Sequence, residues 1–558
     1  MESVYRYKHN PIVRKIVVAM LIPTILMNLT TSIASMADTM IIGRYLDDSA
    51  LSVVTFATPI YMIINVFSAL FAVGGCIAMS IDSGKGDREN ANKAFSISLE
   101  LLALMGSLMV IAGLFFGRNI THWLGASEDV FELVFAYARI ILLGTPFLAL
   151  NTGLAFFVRN DGRPTLSMIG MFSSIAVDIV LNFVFVGHMN LGVVGAAYST
   201  VLGSVVSIAV LSTHFFSSKN TLKFRFSMDK MALRVIKNGG SAALQFIYQF
   251  ATILILNHLI AWLAGTDGVV LYTVVFNLST VSLSLFEGIS QTIQPMASNY
   301  FGEKSYRNIR ETMRLALIAI VAICGSVMLL LEIWPQMVPV AFGIESPELI
   351  AQASVAVRIY AASMIITTVN VVIGYYLQSI EQGALAAVIV SLRSFVLFLS
   401  AVLILGWRFG LNGVWAAYLV SEMLTFVICL LIIQRKRATM RSDAISPNMF
   451  LLDEKIEAGI ECLTFVDGKT GFDSFGSEIC RYLPAAEYVS CLKEHLSSRK
   501  SGCVEMEINH EAGLIYIRDN LHYGEAPLES LRAAVGAENV NHDAVLGWNR
   551  LTVTRSKE

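Results

Sequence analysis

Residues 191–200 read LGVVGAAYST and residues 409–418 read FGLNGVWAAY, two versions of one phrase. Gly192 registers with Gly410 and Gly195 with Gly413, a spacing of 218 residues. The same spacing links SGKGDRENANKAFSISL (83–99) to FGEKSYRNIRETMRLAL (301–317), where Gly84 aligns with Gly302 and Asn90 with Asn308. Two independent phrases at one offset mark an internal duplication, and a duplication constrains the architecture before any single element is assigned.

The duplicated unit is apolar. The chain has 558 residues, of which 55% are hydrophobic and 15% charged, with a mean hydropathy of +0.65. A soluble protein carries about 25% charged residues, so most of this chain does not face water. A membrane-spanning helix needs about 20 mainly apolar residues. Some twelve windows qualify, from 14–37 and 50–80 through to 384–406 and 411–434. Six spans per repeat is an even number, so both halves enter the membrane with the same orientation, as parallel repeats do.

Charge distribution orients the spans. Basic residues gather at the N-terminus (Arg6, Lys8, Arg14, Lys15) and in alternate loops, including Lys85 to Lys93, Arg159 and Arg163, Lys219 to Lys237, and Arg435 to Arg441. The intervening loops hold little beyond Arg44, Arg118 and Arg408. Positive residues stay on the cytoplasmic side, which predicts a multi-pass protein with both termini inside; the expected location is the plasma membrane of a prokaryote. MESVYRYKHNPIVRK runs straight into a full-length span, the pattern of an anchor rather than of a cleaved signal. A net charge of −2 gives no electrostatic case for nucleic acid as a partner. The seven cysteines lack metal-ligand spacing. Three lie in spans and four in the tail, so disulfides are not expected.

These features predict an N-terminal six-helix bundle (1–216), a basic cytoplasmic linker (217–240) and a C-terminal six-helix bundle (241–438). Past QRKRATMRSD the composition becomes mixed and charged, giving a cytoplasmic domain over 442–558. There VEMEINHE and AGLIYIRDN alternate about Glu511 to Gly513 and predict a hairpin. SEICRYLPAAEYVSCLKEHL predicts a helix. The fold class is therefore an all-α membrane protein of two parallel-repeat bundles, plus a small α/β domain.

An ionisable residue within a span is costly and points to function. Asp38, in TSIASMADTMIIG, interrupts the first span. Asp178 interrupts the fifth, with Asn182 four residues on and so on the same helix face. If helices one and five face each other, Asp38, Asp178 and Asn182 form one polar cluster. Two carboxylates in low dielectric cannot both ionise cheaply, so such a pair can take up a proton, or share a sodium ion with amide and hydroxyl oxygens. Tyr137, Asn151 and Thr200 are candidates to complete it, each weighed against ordinary helix-packing hydrogen bonds. In the second half Arg393 and Glu422 are expected to pair structurally. Glu287 has no evident partner and is a candidate for the substrate pathway.

ADTMIIG, PFLALNTGLAFFVRNDGRPTLSM, DIVLNFVFV, TIQPMASNYFGEK and SLRSFVLFLSAVLILGWRFGLNGVWAAYLVSEMLT together resemble the multidrug and toxic compound extrusion (MATE) family over residues 11 to about 438. The resemblance implies alternating access and efflux of organic, often cationic, small molecules in exchange for H+ or Na+. It places the family's first-helix acid at Asp38. Family members usually carry Asn and then Asp on helix five, whereas this chain has Asp178 and then Asn182, about one turn away. The sodium-coupled branch with an acid on helix seven is not matched, since that helix offers Gln245, Gln249 and Asn257. Asn370 stands on helix ten where that branch has an acid. Coupling is therefore expected in the N-terminal half, with Asp38 and Asp178 as metal ligands only under Na+ coupling, and Gln245 beside Glu287 in the substrate pathway. Glu381 occupies a usual glycine position.

The tail resembles a degenerate histidine-kinase-type ATPase or anti-sigma domain at IYIRDN, at Glu487, Cys491 and His495, and at LGWNRLTVT. Cys491 falls where that family has its magnesium-binding Asn. With Cys491 in place of that Asn, no ATP hydrolysis and no tight ATP binding are expected, hence no cofactor, and the tail reads as a regulatory module open to a cytoplasmic protein partner. The expected function is a secondary antiporter, not an enzyme. A lipid-linked-sugar flippase and a membrane sensor with the tail as output are the alternatives.

Overall fold

A computed structural model describes residues 10–46, 48–126, 128–225 and 230–440. In the tail it describes 460–466, 479–480, 483, 486–497, 503–509, 514–519, 526–536, 540–546 and 548–554. Twelve helices among these residues are long and apolar enough to span a bilayer. In the first repeat they are α1 (Pro11–Tyr45), α2 (Ser52–Gly84), α3 (Arg88–Trp123), α4 (Glu128–Asn160), α5 (Pro164–His188) and α6 (Gly192–Phe216). In the second they are α7 (Met231–Gly265), α8 (Gly268–Gly302), α9 (Tyr306–Ile333), α10 (Pro347–Ser379), α11 (Gly383–Phe409) and α12 (Leu411–Met440). The chain is a multi-pass membrane protein.

The repeat is written into the turns. Left-handed backbone occurs at Gly86 (φ 78°) and Lys304 (φ 60°), at Gly125 (φ 78°) and Gly343 (φ 77°), and at Gly192 (φ 59°) and Gly410 (φ 62°). Each pair is 218 residues apart, so the same corners are turned twice. Glycine adopts this conformation without steric cost. Lys304 does not have that freedom, and neither does Glu381 (φ 59°).

The two bundles meet backbone to backbone. A Cβ built on Gly84 would lie 2.1 Å from the Asn299 carbonyl oxygen, and one on Gly302 would lie 2.1 Å from that of Ile81. Higher up the same seam, a Cβ on Gly239 of α7 would fall 1.8 Å from the Leu70 carbonyl of α2. Small residues let apolar helices approach closely where hydrophobic drive is absent. Repeat-equivalent Gly84 and Gly302 thus touch at one point, as a twofold axis between the bundles requires. This closed end carries Asn10, the 84–88 and 302–306 turns and the tail, and is called the tail-side end below. Helix α1 packs on α5 of its own bundle and also lays Ile12, Ile16, Met20 and Ile25 into the core of the other, beside Phe286, Ile289 and Ile293.

The expected linker is shorter than its sequence suggests, because α7 already begins at Met231. Ten residues assigned to the linker continue a good helical pattern into the membrane. The segment before it is stitched to the first bundle, with Lys223 N–H donating to Asn92 (2.8 Å) and Arg225 N–H to Ser96 (2.8 Å). Residues 226–229 lie outside the described residues.

The tail forms a five-stranded antiparallel sheet in the order β1-β2-β3-β5-β4. Its strands are β1 (Ile460–Val466), β2 (Cys503–Asn509), β3 (Leu514–Asp519), β4 (Val540–Val545) and β5 (Trp548–Thr554). The expected hairpin is present, β2 pairing β3 from Val504–Asp519 to Asn509–Leu514. The expected helix is shorter, Ala486–Ser497 (α13). Ile479 and Cys480, earlier in the same stretch, are also helical, with Leu483 N–H donating to the Ile479 carbonyl at 2.8 Å, and 481–482 and 484–485 lie outside the described residues. A second tail helix, α14, spans Ala526–Val535. One face of the sheet (Val504, Met506, Ile515, Ile517, Leu551, Val553) packs with Tyr488, Leu492 and Leu531 of these helices into a separate apolar core.

Candidate functional site

Helices α1 and α5 do face each other. Asp178 (6% exposed) and Asn182 (0%) are buried on α5, and Asn182 Nδ2 donates to Asp178 Oδ1 at 3.3 Å. The i,i+4 relation read from the sequence therefore becomes a contact. Directly after Asn182 the helix widens into a π-turn, Phe183–His188, a distortion frequent at functional sites. Gly203 of α6 lets that helix close on this face, since a Cβ there would lie 2.6 Å from the Ser174 carbonyl and 3.3 Å from Asp178 Cβ. Asp38 lies on α1, and its side chain is outside the described residues.

The supporting candidates divide. Asn151 on α4 is buried, and its Oδ1 has no hydrogen-bond partner among the described residues. Thr200 donates to its own helix at the Ala196 carbonyl (3.2 Å), and is a packing residue by that measure. Tyr137 meets Tyr61 of α2, hydroxyl to hydroxyl at 3.0 Å. It packs in a cluster with Val53, Ile60, Val134 and Val193.

The second bundle lines an open cavity of about 150 Å³ between α7, α8, α10, α11 and α12. Arg393 Nε donates to Glu422 (2.9 Å), the pairing expected from the sequence, and Asn370 Nδ2 donates to the other carboxylate oxygen of Glu422 (2.7 Å). Arg393 sits in a π-turn, Leu392–Val396 on α11, so the fifth helix of each repeat carries one near its polar residue. Tyr272, Phe276, Tyr360, Phe398 and Tyr418 supply aromatic walls.

Glu287, for which the sequence suggested no partner, has one: Gln245 Nε2 donates to it at 2.7 Å. Gln245 faces both this cavity and a smaller one of about 60 Å³ between the bundles, which Glu287, Gln291 and Tyr375 also line from α8 and α10. The two cavities therefore share a polar wall at α7.

Sequence reasoning missed Arg159. It was assigned to a basic loop, yet it closes α4 fully buried, at 0% exposure. Its guanidinium donates to Gln291 Oε1 of the other bundle (2.6 Å) and stacks 4.6 Å over the Phe156 ring. Gln291 also exchanges hydrogen bonds with Asn28 of α1, at 3.3 Å each way. Gln291 was missed as well, although it follows Glu287 by four residues and so shares its helix face, the signal that could have found it. A charge at the end of an apolar run reads as a helix terminus, and only packing distinguishes a terminus in water from one inside protein.

With this geometry in hand, comparison with known proteins is direct. The MatE family model matches residues 23–184 and 240–403, one segment in each bundle. The chain belongs to the MatE family. Multidrug export protein MepA of Staphylococcus haemolyticus (strain JCSC1435) is 25% identical over 408 residues, covering 72% of this chain and 89% of that protein. MepA of Staphylococcus aureus (strain NCTC 8325 / PS 47) is 24% identical over 448 residues, covering 79% and 98%. A solved multidrug-resistance MATE transporter in an outward-facing conformation superposes with a TM-score of 0.72 at 21% identity, over 77% of this chain and 97% of that one. A Pyrococcus furiosus transporter of the MOP superfamily, described as having a binding pocket of reversed polarity, gives 0.71 at 20% identity, over the same shares. Each of these relatives is covered nearly end to end by part of this chain, which carries extra sequence beyond the match.

Proposed function

We propose that the protein exports organic, predominantly cationic, small molecules by alternating access, in exchange for H+ or Na+. The observation that carries the reading is the buried Asp178–Asn182 pair, on a π-turned helix packed against α1 in a MatE-family bundle. A carboxylate held there, with an amide four residues on, is a place where a proton or a sodium ion can be exchanged as the bundle opens and closes. Export by the MepA relatives supports the substrate class. So do the aromatic walls and the carboxylate of Glu287 in the second bundle, because ring faces and carboxylates attract organic cations.

On this reading Asp38 and Asp178 are the coupling groups, with Asn182 and Asn151 as neutral oxygen donors. Gln245 and Glu287 form the gate between the cavities. The tail-side end is cytoplasmic, as the concentration of Lys and Arg there supports. Purified protein in sealed vesicles, loaded with fluorescent organic cations, tests this under imposed H+ or Na+ gradients in turn. Accumulation driven by one gradient and lost on collapsing it is the expected result. Absence of gradient-dependent movement across a broad cation panel would refute the reading.

A further inference from the structure

The tail's second sheet face is charged, and it is buried. Strand alternation sends Glu505 and Glu507 of β2, Tyr516 and Arg518 of β3, and Arg550 of β5 to the side opposite the apolar core. In a free-standing sheet that face would be in water. Here Glu505, Glu507 and Arg550 are each 2% exposed or less, and Arg518 is 4% exposed.

What covers them is the tail-side end of both bundles. From the second bundle, Glu303 at the end of α8 receives Arg550 Nη1 (2.7 Å) and Arg518 Nη2. Ser305 donates to Glu507 (2.7 Å), and Asn308 Nδ2 donates to Glu507 (3.2 Å). From the first bundle, the carbonyls of Gly84 (3.0 Å) and Ser83 accept from Arg550, and Asn10 Nδ2 donates to Glu505 (2.5 Å). One guanidinium thus holds both repeats.

The register shows that the sheet is built for this contact. Arg518 and Arg550 are direct cross-strand partners, and like charges placed opposite each other destabilise a sheet. Glu303 lies between them, supplied by the membrane part. Glu303 in turn caps the C-terminal end of a long helix, where a negative charge is unfavourable unless cations meet it. Burial opposes the charged form of Arg518, but the carboxylates of Glu303, Glu507 and Glu505 outweigh it and hold its pKa well above the ordinary value. Each side completes the charge balance of the other.

From this we infer that the tail is a clamp that holds the tail-side end of the two bundles shut, and that it must release before that end can open. The inference rests on the alternating-access reading only for its effect on turnover. The bridging contacts span the seam where Gly84 touches Gly302, so separating the bundles there strips Arg550 from one repeat or the other. The tail therefore regulates the membrane part, and does so through the conformation it favours.

Hydrogen–deuterium exchange on the full-length protein in lipid nanodiscs, without substrate, tests the clamp apart from transport. Glu303→Gln and the double variant Asn10→Ala/Ser305→Ala leave the tail sequence untouched. In both, exchange at 80–90 and 300–310 should rise at least tenfold, while β3 and β5 stay protected. Gradient-driven turnover in vesicles should rise as well. Unchanged exchange at the seam in both variants, with the tail sheet folded, overturns the inference. Because exchange is read without cargo, failure to find a transported cation would count against the proposed function and leave this result standing.

Discussion

Arg234 of the second bundle donates to Asp82 of the first at 2.5 Å and to Glu381 at 2.6 Å, so one guanidinium ties a strained turn to the bundle seam. Glu381 occupies the left-handed backbone (φ 59°) that ends α10, where Gln382 N–H donates back to the Leu377 carbonyl at 2.9 Å. A non-glycine residue in that conformation costs roughly 1–2 kcal/mol. The ion pair is partly exposed and contributes about 0–1 kcal/mol. Glu381→Gly should therefore leave thermal stability unchanged or raise it by up to about 2 kcal/mol, whereas Glu381→Ala, which keeps the strain and loses the pair, should lower it by about 0–1 kcal/mol. A larger loss for the glycine variant than for the alanine one contradicts this account.

The seam glycines give a sharper test. A Cβ at Gly84 or Gly302 meets a carbonyl oxygen at 2.1 Å, with no flexible side chain able to move aside. Gly302→Ala should separate the bundles at that point and cost about 1–3 kcal/mol, the usual penalty for overpacking. Gly192→Ala meets nothing within 4 Å and bears only the backbone penalty of its positive φ. Melting curves of the two variants, with solvent accessibility at 80–90, distinguish steric separation from general destabilisation.

For Asp178, removal of the titratable group is the informative change. Asp178→Asn keeps the shape and the contact with Asn182, yet cannot gain or lose charge. Gradient-driven accumulation should fall at least tenfold while substrate binding in detergent changes little. Asp38→Asn should do the same. Wild-type rates in either variant would show that its carboxylate is only a packing group.

Breaking the Arg393–Glu422 pair singly should be severe. Removing one partner of a buried pair leaves the other uncompensated, typically at about 3–5 kcal/mol. Arg393→Met should lower the melting temperature more than Arg393→Met/Glu422→Leu does. If the double variant is the less stable, the pair supports the cavity in some way other than charge balance.

In the tail's resemblance to the histidine-kinase-type ATPases, Asp519 of IYIRDN is the residue that could meet an adenine amino group. It is buried, and it accepts from Asn549 Nδ2 at 2.9 Å. Hard cations such as Mg2+ want oxygen ligands, and Cys491 offers none. The purified full-length protein should show no magnesium-dependent ATP hydrolysis above background, measured as phosphate release. Hydrolysis abolished by Asp519→Ala would overturn that.

Much of the architecture was legible because apolar length and the 218-residue echo survive in one dimension. Gly192 and Gly410, matched by letter, proved to share a left-handed turn. The Asp178–Asn182 contact was legible because i,i+4 spacing alone places both on one helix face. Arg159, Gln291 and Glu303 were not, because their roles depend on which helix from the other repeat lies against them. Composition marks the edge of a helix, but it does not say whether that edge meets water or protein. The beginning of α7 was misplaced for the same reason, since a basic first turn resembles a linker. The docking face of the tail was also hidden, because alternating Glu and Arg on strands reads as a solvated surface.

Arg550 and the Gly84 carbonyl it holds are separated by 466 residues. During synthesis one partner is threaded into the bilayer long before the other exists. The contact can form only when the second repeat has been inserted and has settled against the first. Docking of the last strand is therefore a record of completed assembly. A chain whose halves have packed wrongly leaves Arg518 and Arg550 facing each other across two strands without their carboxylate, and its tail exposed to proteolysis.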